Sequence, residues 1–500
     1  MRFITVTSIS KKNKYAIKML TFLLVCIALT SSFLMLPKTS FFNKRLLCDA
    51  EHCSETSVET AKTIVISNAS QTIQGAINKA SDGDTIIVEP GLYHEHLIVN
   101  KSIFLIGEDP KSTIIDGHGL DVITIVKNNV VVTGFTIKNG DLKCGIKVKA
   151  SNTTICNNII EYNFVGVKLG DEYQETSGNI VRNNTITKNR YGVFLSHSKQ
   201  SVVEHNTIVD NKWNGVEIDW GGDNIVCANL ISNNVAYGLE IPLPTPSYNN
   251  TIYHNNFINN TKGCTSSNYK NSWDDGYPSG GNFWGEYAGV DLKSGLNQNL
   301  LGWDGIGDEP YNVDNYVTDR YPLIGRFFTF LAEKGNLTYW VNIISNSTVF
   351  NFHFSVNDGI HFQVNGPDGT FGFCRISIPH ALIRKPYNIT IDGGTPIFMN
   401  CELFDNGTHN WVYFTYLHST HEVVIIPEFP ITIFFWIILC VVVFVKFFLR
   451  LKNSYLLSRV FPFSFFLFFL SSEKYSSDIR SMSHSKLCCL TSAFHKLRIL

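Results

Sequence analysis

The middle of the chain repeats a short apolar strand that carries a glycine near its start and is followed by polar residues. The strands read CGIKV, VGVKL, YGVFL, NGVEI and YGLEI, and their glycines recur every 21 to 26 residues. Apolar and polar positions alternate within each strand, which is the two-residue period of β-structure and not the 3.6-residue period of a helix. The repeat therefore predicts the stacked strands of a solenoid. The glycines that define it are Gly145, Gly166, Gly192, Gly215 and Gly238.

Each repeat contains two further short strands, which are separated from the first by Asn, Gly or Asp. Three strands per repeat predict the three faces of a coil, and such coils stack about 4.8 Å apart. One asparagine per repeat forms its own series, and we expect it to tolerate a left-handed backbone at a corner while its amide bonds the asparagines above and below. The predicted fold is all-β, a right-handed parallel β-helix. The asparagines of this series are Asn158, Asn184, Asn206, Asn229 and Asn255.

Different patterns border the repeats and set the boundaries of the predicted domains. An amphipathic stretch from Ser70 to Ala80 predicts a helix over the first coil, because a solenoid must cover its apolar ends. After Thr261 the sequence becomes rich in aromatic residues, Gly and Asp, which predicts a second cap. We therefore place the β-helix with its caps at residues 63–325. Renewed alternation of apolar and polar residues predicts a small β-sandwich-like domain at residues 326–426.

Long apolar runs near both ends predict export and attachment to a membrane by terminal helices. Residues 1–36 place lysines before an apolar run and predict a signal peptide or signal anchor, followed by a linker at residues 37–62. Residues 427–452 are apolar with basic residues at their end and predict a C-terminal transmembrane anchor. The tail at residues 453–500 receives no predicted role. The protein is thus expected to be extracytoplasmic, at the cell surface.

Composition narrows the classes of partner. The apolar fraction of 44% is ample for a sizeable core, and the formal net charge is −1. Nucleic-acid binding requires a basic stripe that neutralises phosphates, and the exported part of the sequence contains none. Nucleic acid is therefore excluded as the expected partner.

Alignment of the repeats on their glycines predicts a cluster of carboxylates on one outward face. Glu217 and Glu240 share a column with Lys168, and Asp219 stands two positions further along its strand, so these groups are expected roughly 5 to 7 Å apart. Such spacing suits the paired carboxylates of glycosidic chemistry. Nearby aromatic residues would instead suffice for sugar binding, and a third alternative is that all of these residues are merely solvated. The candidate ligand-binding residues are Lys168, Trp213, Trp220 and Tyr237, and the candidate catalytic residues are Glu217, Asp219 and Glu240.

Aspartates in the second cap suggest a calcium site. The segment DGIGD offers hard oxygen ligands on a glycine-rich backbone, although it lacks the full spacing of an EF-hand. A simple turn is the alternative. The candidate calcium ligands are Asp291, Asp304, Asp308 and Asp314, with Asp319 as a further choice for completing the shell.

Residues from about Thr63 to Gly325 resemble the NosD-type periplasmic copper-binding family of β-helix proteins. The resemblance rests on TIQGAINKASDGDTIIVEPGLYHEHLIVNKSIFLIGED, the NNTI and YGV repeats, GNFWGEY, DGIGDEPY and DRYPL. It implies the pectin-lyase-like β-helix fold and a periplasmic or surface location. The segment PEFP before the second apolar run is similar to the PEF-type sorting signal of archaeal surface proteins.

The family resemblance also implies copper, for which the sequence offers one close histidine pair. His94 and His96 lie at positions i and i+2, which share a face if both belong to one strand, so their imidazoles could share a metal ion. An exposed strand without metal is the alternative.

Three hypotheses follow for the function. The leading one is a non-catalytic surface protein that presents its β-helix to envelope glycans, surface proteins or metal. The second is a polysaccharide lyase or glycoside hydrolase that uses Glu217, Asp219 and Glu240. The third is a copper-handling accessory protein.

Overall fold

The computed structural model describes residues 61–67, 71–266, 270–428 and 439–443. The predicted signal segment, the linker to residue 60, the tail and most of the predicted C-terminal anchor lie outside these ranges. No helix within the described ranges is both long and apolar enough to cross a bilayer. The described part of the chain forms two regions, a parallel β-solenoid and a pair of antiparallel sheets.

The solenoid has about nine turns, and its strands pair in parallel with those of the neighbouring coils, which confirms the predicted parallel β-helix. Within each coil the chain passes through three sheets in turn, here called sheets A, B and C. Sheet A comprises Thr63–Ile66, Thr85–Val88, Phe104–Gly107, Val131–Thr133, Thr154–Cys156, Ile180–Arg182, Val202–Glu204, Ile225–Cys227 and Thr251–Tyr253. Sheet B comprises Gly91–Tyr93, Thr113–Asp116, Thr136–Lys138, Ile159–Glu161, Thr185–Thr187, Thr207–Val209, Leu230–Ser232, Asn256–Ile258 and Phe283–Trp284. Sheet C comprises Leu97–Val99, Ile123–Ile125, Cys144–Val148, Val165–Leu169, Tyr191–Ser196, Val216–Asp219 and Leu239–Glu240.

The solenoid core is a stack of aliphatic side chains. The middle residue of each three-residue strand in sheet A points inward, and each such side chain is fully removed from solvent. Each buried aliphatic side chain contributes about 1.5–3 kcal/mol of hydrophobic free energy. Repetition of this contribution in every coil stabilises a structure whose coils contact only their neighbours. The series in sheet A includes Ile155, Val181, Val203, Val226 and Ile252.

Three ladders of buried polar side chains line the corners, where the sequence repeat had indicated one. At the corner between sheets A and B, the Oδ1 atom of Asn229 accepts hydrogen bonds from the backbone and side-chain amides of Asn206, at 2.9 and 3.0 Å. The Nδ2 atom of Asn229 donates to the backbone carbonyl of Val203 and to Asn255. Each amide thus satisfies buried groups of two coils. The other ladders comprise Asn163, Asn189, Asn211, Asn234 and Asn260, and Asn179, Ser201, Asn224, Asn250 and Asn271.

The left-handed residue at each corner precedes the ladder residue and is not the ladder residue itself. Asn183, His205 and Ala228 have φ values of 55°, 57° and 56°, and each stands immediately before a ladder asparagine. The sequence had predicted that a single asparagine both adopts the left-handed backbone and forms the ladder hydrogen bonds, and the structure differs in this respect. The turn therefore needs two residues, the first for backbone direction and the second for hydrogen bonding.

A short helix closes the first coil. It spans Ile73–Lys79, and the side chain of Thr72 caps it by accepting from the amide of Gly75. The carboxylate of Glu95 accepts hydrogen bonds from the amides of Ile73 and Gln74, at 2.8 and 2.9 Å. The predicted cap therefore forms, and Glu95 ties it to the loop between sheets B and C.

Aromatic side chains close the other end of the core. Phe257, Trp273 and Trp284 are buried, with the Phe257 and Trp284 rings stacked at 4.7 Å. The buried carboxylate of Asp319 continues the first ladder, since it accepts from the backbone amide of Asn282 at 2.7 Å. The cap contains two pairs of two-residue strands, Lys293–Ser294 with Leu300–Leu301 and Tyr311–Asn312 with Thr318–Asp319. A third pair, Thr176–Ser177 with Ser198–Lys199, lies in the middle coils of the solenoid.

Two antiparallel sheets follow the solenoid and share one core. The five-stranded sheet runs in the order Arg326–Lys334, Leu337–Ser345, Phe371–Pro379, His409–Leu417 and Phe398–Asp405. The four-stranded sheet runs in the order Thr348–Ser355, Gly359–Asn365, Thr420–Pro427 and Tyr387–Ile391. Buried side chains of both sheets form one apolar cluster, which is the arrangement of a β-sandwich.

The sandwich contacts the solenoid at the corner between sheets A and B. Asn256 exchanges two hydrogen bonds with the backbone of Phe327, at 2.8 and 2.9 Å. The ring of His254 stacks on Phe327 at 4.1 Å, and the ring of His205 stacks on Trp340 at 4.6 Å. Both histidines are left-handed corner residues, which project their side chains away from the coil toward the sandwich.

Candidate functional site

The predicted outward column exists in the strand register of sheet C. Lys168 pairs with Phe194, Phe194 with Glu217, and Glu217 with Glu240. Asp219 pairs with Ser196 in the same strands. The spacing of the glycines varies from coil to coil, but the extra residues lie in loops and leave the register unchanged. The face of sheet C around this column is the candidate functional site.

Glu217 and Glu240 are joined by one side-chain amide. The Nδ2 atom of Asn214 donates to Oε2 of Glu217 at 2.8 Å and to Oε2 of Glu240 at 2.5 Å. Both acceptors surround one nitrogen, so the two Oε2 atoms lie at most about 5 Å apart, and the separation in retaining glycosidases is about 5–5.5 Å. Asn214 is itself buried and receives support from the amide of Tyr237, which donates to its Oδ1 atom.

The surroundings of Glu217 change its acidity. Burial raises the pKa of Glu217 to about 7, and the negative charges of Glu240 and Asp219 act in the same direction, while the bond from Asn214 opposes the shift. Glu217 therefore keeps its proton to a higher pH than an ordinary glutamate. The Oδ1 atom of Asp219 is buried and has no hydrogen-bond partner among the described residues. No pattern in the sequence had indicated that water is excluded from Glu217 to the degree needed to raise its pKa.

Aromatic rings and cations alternate beside the carboxylates. The guanidinium of Arg190 lies 5.0 Å from the ring centre of Phe164 and 5.7 Å from that of Trp213. The ammonium of Lys262 lies 5.6 Å from the ring centre of Trp213 and 5.2 Å from that of Tyr237. These distances are those of cation–π contacts. Trp213 nevertheless remains 40% exposed, so part of its side chain is open to solvent.

The remaining predicted residues stand at the edges of this surface. The ammonium of Lys168 lies 5.3 Å from the ring centre of Phe194, and Lys168 is three coils away from Glu240. Trp220 is 47% exposed and stacks on His197 at 5.6 Å, at the opposite end of the strand from Trp213. The structure thus gathers Trp213, Tyr237 and the carboxylates, and it places Lys168 and Trp220 at the periphery.

The aspartates proposed for calcium do not converge on one point. Asp291 accepts from the backbone amides of Asp304 and Gly305, and Asp308 accepts from two amides near residue 292. Asp314 accepts from the amide of Ser266, in another part of the cap. Calcium needs several unoccupied oxygens around one centre. These carboxylates instead satisfy backbone donors of their own turns, and burial raises the pKa of Asp291 to about 7.

The histidine proposed to partner His96 contacts a different residue. The strand Gly91–Tyr93 ends before His94, so the alternation that would place His94 and His96 on one face does not continue. The Nδ1 atom of His94 lies 2.6 Å from Nε2 of His118, in the next coil. His94, His118 and Asp116 bring three potential ligand atoms within 4.8 Å of one another, and they form the one such group of His, Cys or acidic residues in the described ranges.

The sequence did not predict several residues of the sheet C surface and of the group formed by His94, Asp116 and His118. Asn214 replaces the tyrosine found at this position in neighbouring repeats, and that exchange beside a glutamate is a signal that could have been used. Arg190 and Lys262 lie in loops and carry no signal, since their positions over the rings depend on loop geometry. His118 follows a strand of the next coil, and a search for ligands close in sequence overlooks it.

Part of the chain is similar in sequence to a known protein family and to a surface glycoprotein. Residues 77–289 match the family model described as periplasmic copper-binding protein (NosD). A cell surface glycoprotein of Methanothermus fervidus is 34% identical over 214 residues, which are 38% of this chain and 34% of that protein. The chain therefore spans about a third of that relative.

Solved structures give weaker similarities. An alginate lyase from Paenibacillus has a TM-score of 0.31 at 14% identity, covering 44% of this chain and 97% of the lyase. Pectin methylesterase from carrot has a TM-score of 0.33 at 14% identity, covering 46% of this chain and 87% of the esterase. Neither similarity assigns an activity to this chain. Residues 77–289 thus match the NosD-type family model and form coils of a parallel β-helix.

Proposed function

We propose that this protein is an extracytoplasmic binding protein that holds glycan chains on the outer face of sheet C. The observation that carries the proposal is the half-exposed Trp213, set between two cations and beside the Glu217–Asn214–Glu240 group. A sugar ring presents an apolar face that packs on an aromatic ring and hydroxyl groups that bond to carboxylates and amides. This surface offers both kinds of contact within one patch.

The proposed location rests on two comparisons and on the sequence. The matching family is described as periplasmic, and the matching relative is a cell surface glycoprotein. Attachment through residues 427–452 would keep the solenoid near the membrane, among the glycans and proteins of the envelope. Those glycans are the proposed partners, and surface proteins are the alternative.

A second candidate function, glycoside cleavage, is favoured by the raised pKa of Glu217. In this mechanism protonated Glu217 gives its proton to the glycosidic oxygen as the bond to the anomeric carbon breaks. The carboxylate of Glu240 attacks that carbon and forms a glycosyl ester. Water then hydrolyses the ester and returns a proton to Glu217. The short separation of the two carboxylates suits this double displacement.

A polysaccharide panel tests both functions with the full chain purified in detergent. Binding is measured by co-sedimentation with insoluble glycans and cleavage by the release of reducing ends. The binding function predicts retention on at least one envelope glycan. Absence of retention on every member of the panel would contradict it.

Glutamate variants separate cleavage from binding on the same panel. Glu217→Gln and Glu240→Gln keep the shape of the surface, so a binding protein should still be retained. Loss of reducing-end release in both variants, with release by the unmodified chain, would establish catalysis. Equal release of reducing ends by the unmodified chain and by both variants would contradict the cleavage hypothesis.

A further inference from the structure

We propose that His94, Asp116 and His118 form a site for one transition-metal dication of the Cu(II), Ni(II) or Zn(II) class. The site is separate from the candidate glycan surface and does not depend on it. It lies where sheet B ends, in the coils next to the N-terminal helix.

The parallel register brings the three residues together. Tyr93 pairs with Ile115, so the residues that follow them, His94 and Asp116, lie side by side in adjacent coils. His118 comes two residues later, and its ring centre lies 4.4 Å from that of His94. The ligand atoms of the three side chains all lie within 4.8 Å of one another. A single ion could therefore contact all three after small side-chain rotations.

The surroundings of Asp116 hold its carboxylate in place. Asp116 is 7% exposed, whereas His94 and His118 are exposed to solvent. The Nδ2 atom of Asn139 donates to Oδ2 of Asp116 at 2.7 Å, and the backbone amide of His118 lies 3.2 Å from Oδ1. Hydrogen bonds of this kind orient metal ligands in known sites. The carboxylate is thus fixed from one side while the imidazoles face water.

The backbone at His118 sets the direction of its side chain. His118 has a φ of 43°, in the left-handed region that the corner residues of this solenoid also adopt. The conformation turns the chain so that the imidazole of His118 meets His94 of the preceding coil.

The donor set indicates the class of metal. Two imidazole nitrogens and one carboxylate oxygen suit Cu(II), Ni(II) or Zn(II), whereas Ca²⁺ and Mg²⁺ prefer oxygen ligands alone. The 2.6 Å contact between the imidazoles requires a proton on one of the two nitrogens. A change of tautomer would move that proton to the other nitrogen of the same ring, and solvent would complete the coordination shell because both rings are exposed.

Metal titration of the full chain tests the site. After removal of metal with a chelator, CuSO₄, ZnSO₄ and CaCl₂ are titrated in separate calorimetric experiments. We expect one strong site for copper or zinc and none of similar strength for calcium. The Cu(II) electron paramagnetic resonance spectrum should show coupling to two nitrogen nuclei. A spectrum without nitrogen coupling would overturn the proposal.

Variants locate the bound ion. His94→Ala and His118→Asn should each weaken metal binding by about 100-fold, and asparagine is chosen at residue 118 because it tolerates the left-handed backbone. The matched control is His96→Ala, which removes a neighbouring exposed histidine outside the cluster and should change nothing. Equal loss in the control, or unchanged binding in both cluster variants, would contradict the assignment.

A footprint on the unmodified chain gives an answer even if a variant does not fold. Diethyl pyrocarbonate modifies accessible histidines, and mass spectrometry reports each one. Bound metal should protect His94 and His118 and leave His96 reactive. Protection of His96 alone, or of none of the three, would refute the proposed ligands.

Discussion

Glu217 and Glu240 stand in register one coil apart and share the side-chain amide of Asn214. The carboxylate pair is therefore a product of the stacking and of one buried asparagine. Burial of Glu217 raises its pKa to about 7, although the hydrogen bond from Asn214 opposes this shift. This arrangement of the carboxylates should affect both the stability of the protein and its binding of ligands.

The raised pKa of Glu217 predicts a pH dependence of stability. Folded Glu217 keeps its proton up to about pH 7, whereas an unfolded glutamate loses it near pH 4.5. The folded state thus binds more protons in this window, and its contribution to stability decreases as the pH rises from 4.5 to 7. We expect the free energy of unfolding of Glu217→Gln to fall by about 1–3 kcal/mol less than that of the unmodified chain between pH 4.5 and 7. Urea unfolding at several pH values measures this difference. Glu333→Gln, an exposed control, should leave the pH profile unchanged.

The asparagine ladders predict a large cost for a single substitution. Asn229→Ala would leave buried backbone groups of two coils without partners, since Asn229 accepts from Asn206 and donates to the carbonyl of Val203. Loss of these bonds should lower the free energy of unfolding by about 3 kcal/mol or more. Thermal unfolding compares this variant with Asn299→Ala, whose asparagine is exposed. Similar melting temperatures for the two would contradict the structural role of the ladder.

The contact between solenoid and sandwich predicts weakening in acid. Burial lowers the pKa of His205 and of His254 to about 4, against an ordinary value of 6.5. The unfolded state therefore binds more protons, and stability decreases as the pH falls below 6.5. At pH 5 each histidine should lower the free energy of unfolding by about 1–2 kcal/mol relative to neutral pH.

Substitution of either histidine tests this effect. His205→Asn keeps a residue suited to the left-handed corner but cannot take up a proton. We expect a lower stability at pH 7, because the stacking on Trp340 is lost, and a shallower decrease between pH 7 and pH 5. His96→Asn serves as the exposed control. An unchanged slope in His205→Asn would show that this histidine does not titrate in the proposed way.

The parallel β-helix was predictable because its signals are local. Strands such as VGVKL alternate apolar and polar residues within five positions, and the corner residues recur at fixed distances from the strands. Alignment of the glycines also gave the column through Lys168, Glu217 and Glu240, because differences between repeats are confined to loops. Handedness of the coil remains a prediction of the sequence.

The chemical details were harder to predict because they depend on neighbours in space. His94 meets His118 and not His96, since the strand ends at Tyr93 and the next coil supplies the neighbour. Asn214 acquires its role only when two coils are stacked. Asp291 looked like a metal ligand in sequence, yet its carboxylate bonds backbone amides within the cap. Such contacts follow from the folded loops and leave no periodic pattern.

The central claim is that the aromatic surface of sheet C binds a glycan, and calorimetric titration of the full chain with a retained polysaccharide tests it most directly. Trp213→Ala combined with Tyr237→Ala should weaken binding by about tenfold or more, because two ring contacts are worth about 1–3 kcal/mol. Tyr316→Ala removes an exposed ring elsewhere and should bind like the unmodified chain. Equal affinity of the double variant and the unmodified chain would contradict the account.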